Sequence, residues 1–214
     1  MTTGRVGTGD GLSEGDVHVW TIDLDCPPKR RRAAAGARSR EILATYLSCR
    51  PRDVRIGRSG NGKPTLDRGI SDGLSYSLSH SDSRVLVAVA AARRIGVDLE
   101  RLRPVRDVHA LASRFFAANE AKAIASLGGA ESLVGFFRVW VRKEAYLKGL
   151  GGSVPAGLRR FRVSVGPAAE ASILSTELEP TPSAFAIRDL DLASGYAGAI
   201  AVEGGLRRIR RMSL

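Results

Sequence analysis

Two hydrophobic rhythms organise this chain. Residues 17–24 (VHVWTIDL) alternate, with Val17, Val19 and Thr21 on one face and Trp20, Ile22 and Leu24 on the other, which predicts a strand touching two layers. Pro27 and Pro28 break it, and an Ala-rich stretch then predicts a helix ending near Leu47. Residues 76–79 and 84–91 predict two short strands in a hairpin, with Ser79, His80, Ser81 and Asp82 in its turn. In 94–104, Ile95, Val97 and Leu99 alternate with Gly96, Asp98 and Glu100, a strand with one apolar face. Residues 105–116 and 119–127 predict two helices, with Glu120 complementing the macrodipole of the second. After a Gly/Pro loop at 149–157, the segments FRVSV, SILST, AFAIRDL and YAGAIAV predict short strands in an antiparallel meander. Residues 1–15, rich in Gly, Thr and Ser, predict a disordered tail, and 206–214 a frayed basic one.

The 3.6-residue rhythm is strongest in residues 133–152, LVGFFRVWVRKEAYLKGLGG. Leu133, Phe136, Phe137, Trp140 and Val141 recur as a core-facing stripe of a helix, and Gly149, Gly151 and Gly152 end it. The next positions on the stripe are Glu144, Ala145 and Lys148. A carboxylate and an ammonium continuing an aromatic face are costly unless paired or bound to a metal. Alone, they read equally as a surface salt bridge four residues apart, contributing a few tenths of a kcal/mol.

Composition narrows the classes. The 214 residues suffice for one large domain or two small halves, and 43% apolar with 26% charged residues is ordinary for a globular protein. The formal charge of +11 favours polyanionic partners: nucleic acid, phosphate-rich ligands or an acidic protein. Cys26 and Cys49 have no zinc-ligand spacing and make no disulfide framework. No apolar run approaches a membrane span and the first residues lack a hydrophobic signal core, so the expectation is a cytoplasmic protein.

Candidate chemistry lies in four places. Asp98 and Glu100, two apart on a strand, point the same way, and oxygen ligands of this kind suit Mg²⁺; a solvated edge-strand face reads equally well from these residues alone. Gly57 to Lys63 fits the first seven positions of a P-loop, but the eighth is Pro64, which lacks both hydroxyl and N–H, so nucleoside triphosphate hydrolysis is rejected. Lys63 is left in an exposed turn, available to an anion or a bystander. His80 in its Ser-rich turn is a base, a phosphate or adenine contact, or a cap. The run Lys29 to Arg32 sets cations at a helix start, against the dipole, which hints at an anionic ligand.

Taken together, GVDLE, WVRKEAYLK, GKP at 62–64, SHS at 79–81 and GLGGSVP resemble, in order, the motifs of the 4′-phosphopantetheinyl transferases, specifically the larger monomeric, surfactin-synthetase-associated type that serves polyketide and nonribosomal peptide synthases. The resemblance covers residues 29–202. It implies an α+β fold of two similar α/β lobes related by a pseudo-twofold axis, with the active site at their interface; residues 16–103 and 104–205 would be those lobes. It implies Mg²⁺-dependent transfer of the 4′-phosphopantetheine arm of coenzyme A to a serine of an apo acyl or peptidyl carrier protein, releasing adenosine 3′,5′-bisphosphate. Carried over by position, Asp98, Glu100 and Glu144 match the metal-ligating acids, and Lys148 the lysine at the pyrophosphate. Glu144, or a metal-bound water, would take the serine proton. Lys63 and His80 match residues at the 3′-phosphate of coenzyme A, with Ser79 beside the adenine and ribose. The basic run departs from the pattern, since Ala33 stands where the family has an aromatic; among Arg31, Arg32 and Arg38, Arg31 is favoured as the phosphate contact. A monomer acting on acidic carriers, with no membrane and no specific nucleic acid partner, follows from the resemblance. The competing reading, a basic nucleic-acid-binding module without catalysis, explains the charge but leaves the three acids without a role. A catalytically dead relative would lack one acid or Lys148, and none is missing.

Overall fold

Alternating residues that are apolar on both faces require a layer on each side, and the two main sheets obtain this by packing against each other and each against a long helix. The computed structural model describes residues 11–13, 15–60, 62–67, 69, 71, 73–152, 155–166, 170–178 and 182–213. In chain order these form β1 (Asp16–Asp23), α1 (Pro28–Leu47), β2 (Ile56–Arg58), β3 (Pro64–Leu66), β4 (Leu74–Ser81), β5 (Arg84–Ala91) and β6 (Ile95–Arg101). Then follow α2 (Val108–Phe115), α3 (Ala118–Leu127), α4 (Gly129–Gly149), β7 (Phe161–Val163), β8 (Ile173–Thr176), β9 (Phe185–Asp189), β10 (Tyr196–Glu203) and β11 (Arg208–Met212). The fold is mixed α/β. One sheet has the order β11-β1-β5-β4, a second β6-β10-β9, and β2-β3 and β7-β8 are two-stranded pairs.

The side-chain alternation assigns the layers. Trp20, Ile22 and Leu24 of β1 and Val85, Val87 and Val89 of β5 pack under Ile42, Leu43 and Tyr46 of α1. The opposite faces of the same strands, Val17, Val19, Leu86 and Ala88, meet Ile95, Val97 and Leu99 of β6 and Ile200 and Val202 of β10 between the sheets. Ala199 and Ala201, on the outer face of β10, pack under α4 with Phe136, Phe137, Val141 and Tyr146. The two faces expected of β1 and the core stripe expected of α4 are therefore both present.

Four expectations are corrected. The basic segment near the C-terminus is not frayed: β11 pairs in parallel with β1, from Asp16↔Arg208 to Trp20↔Met212, and backbone bonding to an existing strand holds it. Leu12, placed in a disordered tail, is buried in the α1 core; residues 1–10 and 14 of that tail lie outside the described residues. The last four strands are not one meander, because β7-β8 stand apart and β10 joins β9 to β6. Ser79, His80 and Ser81 are not a turn: β4 runs through Ser81. Of the Gly/Pro loop at 149–157, residues 153 and 154 lie outside the described residues, and Pro155–Arg160 forms a 3-10 helix.

Candidate functional site

The site is built where α4 crosses β6. A Cβ on Gly96 would overlap the Ala145 carbonyl and the Gly149 nitrogen, so only glycine lets the last turns of the helix lie directly on the strand. With Gly96 under the helix, strand parity puts Asp98 and then Glu100 on the same α4-facing side. Glu144 and Lys148, one helical turn apart, are both half-buried over that side. Lys148 Nζ donates to Asp98 Oδ1 at 2.6 Å and to the Val97 carbonyl at 3.2 Å.

A second edge closes over the carboxylates. β4 ends one sheet and β6 the other, and serines at every second position of β4 bridge them. Ser77 Oγ accepts the Val97 N–H at 3.0 Å. Ser79 Oγ donates to Asp98 Oδ1 at 2.8 Å. Ser81 Oγ donates to Glu100 Oε2 at 2.9 Å and accepts the Arg101 N–H at 3.0 Å. Ser79, expected at an adenine or ribose, here holds a carboxylate. Ser77 and Ser81 escaped the sequence reading; the signal was the two-residue spacing of serines in SYSLSHS, which becomes informative once the segment is a strand rather than a turn.

The electrostatics are unbalanced. Asp98 is 6% exposed, and its Oδ2 is buried without a hydrogen-bond partner. Burial, and then the neighbouring Asp98 carboxylate, push the Glu144 carboxyl above its usual range; Lys148 opposes this and Glu100 adds to it. Two further acids thus act on Glu144. Among the described residues, however, no group of three His, Cys, Asp or Glu side chains is drawn together as a ready metal cage. The donor set nevertheless fits a hard divalent cation: all its atoms are carboxylate oxygens and one is orphaned, although Lys148 pairs with Asp98 and Arg103 with Glu100 at 3.2 Å.

Cations ring this centre. His80 projects from β4 toward the α1 side of its sheet and is exposed. Partial desolvation of the ring, then Lys148 and Arg32, hold it below the usual imidazole range, with Glu100 opposing. Lys63 is half-buried rather than freely exposed, and its Nζ donates to the Lys148 carbonyl at 2.6 Å and the Ile95 carbonyl at 2.7 Å. Burial, then Lys148 and Arg94, lower its pKa to about 8. A cavity of about 370 Å³ lies between these groups, lined by Lys63, Pro64, Ser77, Leu78, Lys148 and Gly152. Arg31 pairs through one nitrogen with Asp82, which Arg101 also engages, while the Arg31 Nε is buried without a partner among the described residues; Arg32 is exposed, and Arg38 pairs with Glu41.

A different pair lies deeper on α4. Glu120, expected only to complement the macrodipole of its helix, is 2% exposed, and Lys143 is fully buried beside it, their charges 2.8 Å apart. Glu120 also accepts the Val163 N–H at 2.8 Å and the Ala117 N–H at 2.9 Å, and Lys143 donates to the Leu158 and Phe161 carbonyls. Burial lowers the Lys143 pKa while Glu120 opposes the change. Arg142, also buried, grips Asp189 through two nitrogens.

Comparison with known proteins identifies relatives of this chain. Residues 94–201, which hold both β6 and α4, match the family model of the 4′-phosphopantetheinyl transferase superfamily. The chain is 34% identical to the 4′-phosphopantetheinyl transferase HetI of Nostoc sp. over 90% of both chains. It is 34% identical to the 4′-phosphopantetheinyl transferase psf-1 of Bacillus pumilus over 63% of this chain and 55% of that protein. With the 4′-phosphopantetheinyl transferase AcpT of Salmonella typhimurium it shares 31% identity over 59% of this chain and 63% of that one.

Proposed function

The chain belongs to the 4′-phosphopantetheinyl transferase superfamily, and from that premise we propose that it moves the 4′-phosphopantetheine arm of coenzyme A onto a serine of an apo acyl or peptidyl carrier protein. The carrying observation is the convergence of Asp98, Glu100, Glu144 and Lys148 at the α4–β6 crossing, with Asp98 Oδ2 buried and unpartnered. In this reading Asp98, Glu100 and Glu144 would hold Mg²⁺. The ion, when bound, supplies positive charge to the pyrophosphate oxygens. Lys148 sits beside the pyrophosphate and offsets charge gathering on the leaving phosphate as the bond breaks.

The carrier serine Oγ bonds to the phosphorus bearing the pantetheine arm, and the bond from that phosphorus to the oxygen bridging the pyrophosphate breaks. Adenosine 3′,5′-bisphosphate leaves with that electron pair. The serine proton passes to Glu144, the carboxylate one helical turn from Lys148. His80 and an arginine of the basic run receive the 3′-phosphate end. Arg31, whose Nε is buried without a partner while another nitrogen holds Asp82, remains the favoured arginine for that contact, with Arg32 beside it in the basic run. Ser79 and Ser81 orient Asp98 and Glu100.

We read residues 16–103 and 104–205 as two lobes related by a pseudo-twofold axis, each with a long helix over a sheet, with β6 of the first segment pairing into the sheet of the second and β11 added to the first sheet. The acids and Lys148 lie within one chain, which favours a monomer. No helix among the described residues is long and apolar enough to cross a membrane. We further propose a cytoplasmic enzyme serving polyketide or nonribosomal peptide synthesis. The net charge of +11 would speed encounter with an acidic carrier in a salt-dependent way. The nucleic-acid-binding alternative is not favoured by the relatives found.

The test is to incubate the protein with apo carrier proteins, coenzyme A and Mg²⁺ and weigh the carriers. A gain of one phosphopantetheinyl mass is expected. No gain on any of several carriers, with tight salt-sensitive DNA binding instead, would overturn the reading.

A further inference from the structure

We propose that Lys63 is a positioning residue, whose ammonium clamps the last turn of α4 to the first residue of β6 and so keeps Glu144 and Lys148 over Asp98. The proposal rests on the transferase reading for its kinetic consequences, but the clamp itself is a matter of geometry. Lys63 Nζ donates to the Lys148 carbonyl at 2.6 Å and to the Ile95 carbonyl at 2.7 Å, so one cation joins the end of the helix to the start of the strand. The junction lies beside Gly96, where helix and strand already touch too closely for a Cβ.

The Lys148 carbonyl already accepts the Gly151 N–H at 3.1 Å, and the Lys63 ammonium adds to it a charge that complements the macrodipole at the helix end. Lys148 is thereby held twice: its carbonyl by Lys63, its side chain by Asp98 Oδ1 at 2.6 Å.

The loop that presents Lys63 is itself closed. Ser59 N–H donates to the Lys63 carbonyl at 2.8 Å, Gly62 N–H to the Ser59 carbonyl at 2.8 Å, and Lys63 N–H to Ser59 Oγ at 3.1 Å. Pro64 then opens β3. This explains why a segment resembling a phosphate loop ends in Lys-Pro without a hydroxyl. Two of the three donors of the ammonium are used on backbone oxygens. The cavities on either side of it, about 240 and 370 Å³, share Lys63 and Pro64 as their wall. A direct 3′-phosphate ligand would instead be expected to keep its donors free for the substrate.

The experiment compares wild type with Lys63→Met and Lys63→Arg, with Lys63→Gln in place of the first if Lys63→Met does not fold. Amide hydrogen exchange over 145–151 is measured on the free protein, and turnover is measured with both coenzyme A and 3′-dephospho-coenzyme A. The clamp predicts exchange about tenfold faster at the end of α4 in Lys63→Met. It predicts kcat about 10–100-fold lower with both donors alike, KM nearly unchanged, and partial rescue in Lys63→Arg. A loss seen with coenzyme A but not with its 3′-dephospho form, with unchanged exchange, would make Lys63 a phosphate ligand and overturn the proposal. If wild type transfers nothing to any carrier, the transferase reading fails, while the exchange comparison still decides the clamp.

Discussion

Helix α4 carries two lysine–carboxylate pairs little more than one turn apart, and they are opposites. Lys143–Glu120 is closed: its carboxylate is met by two backbone N–H groups and its ammonium by two carbonyls. Lys148–Asp98 is open: Oδ1 is shared by Lys148 and Ser79, Oδ2 has no partner, and Glu144 sits beside it with a raised pKa. Burial of charge therefore does not by itself mark a site. The first pair is buried more deeply, yet it fastens α3, α4, β7 and the 3-10 helix together. What separates the second is unsatisfied bonding capacity at Asp98, next to a cavity that Lys148 lines.

The sharpest way to break the comparison is Glu120→Ala, which leaves the Lys143 ammonium buried and unpaired. It should cost about 3–5 kcal/mol and lower the thermal midpoint by about 10 °C, read by calorimetry. The double variant Glu120→Met with Lys143→Met should regain most of that loss, because two packed apolar chains replace a pair without leaving a lone charge. A double variant no more stable than the single one would show that the pair does more than satisfy itself.

On the open pair the effects invert. Asp98→Asn should reduce carrier modification by about 100–1000-fold while moving the midpoint little. Near-normal turnover with Mg²⁺ would remove Asp98 from the site. Glu144→Gln should likewise abolish transfer, yet in metal-free buffer raise the midpoint by about 2–4 °C by relieving repulsion among the acids. An unchanged or lower midpoint would contradict the crowding inferred from the raised pKa.

A smaller effect follows from pH. A carboxyl whose pKa is higher folded than unfolded keeps its proton longer in the native state. Stability contributed by protonated Glu144 is present below the unfolded value of 4.5 and is lost as pH rises through the folded one. Wild type should therefore lose stability across that window relative to Glu144→Gln, and added Mg²⁺ should reduce the difference. Parallel pH curves for the two proteins would count against it.

Part of this contrast is legible from residue order and part is not. The parity of Gly96, Asp98 and Glu100 and the turn between Glu144 and Lys148 are local geometry, so one strand face and one helix edge bearing the right groups can be read directly. Lys143 and Arg142 sit off the apolar stripe, and nothing local says that the 3-10 helix and β7 wrap that side of α4. The only hint was two cations flanked by Trp140 and Tyr146. Ser79 and Ser81 read locally as turn residues because Ser, His and Asp favour turns, whereas pairing with β5 from Leu74 to Ser81 overrides that preference. The basic C-terminal segment was misjudged for the same reason, since its partner strand β1 lies almost two hundred residues earlier.

The sequence by itself determined the helices and most of the longer strands, the core stripe of α4, the face on which each acid lies and, through its ordered motifs, the family. Those properties follow from periods of two and 3.6 residues and from short spacings. The tertiary structure alone decided which charges are structural and which are open, that β4 serines hold Asp98 and Glu100, and that Lys63 reaches the end of α4. Each of these depends on partners far apart in the chain, and a charge becomes pillar or reagent according to how many of its hydrogen bonds those partners complete.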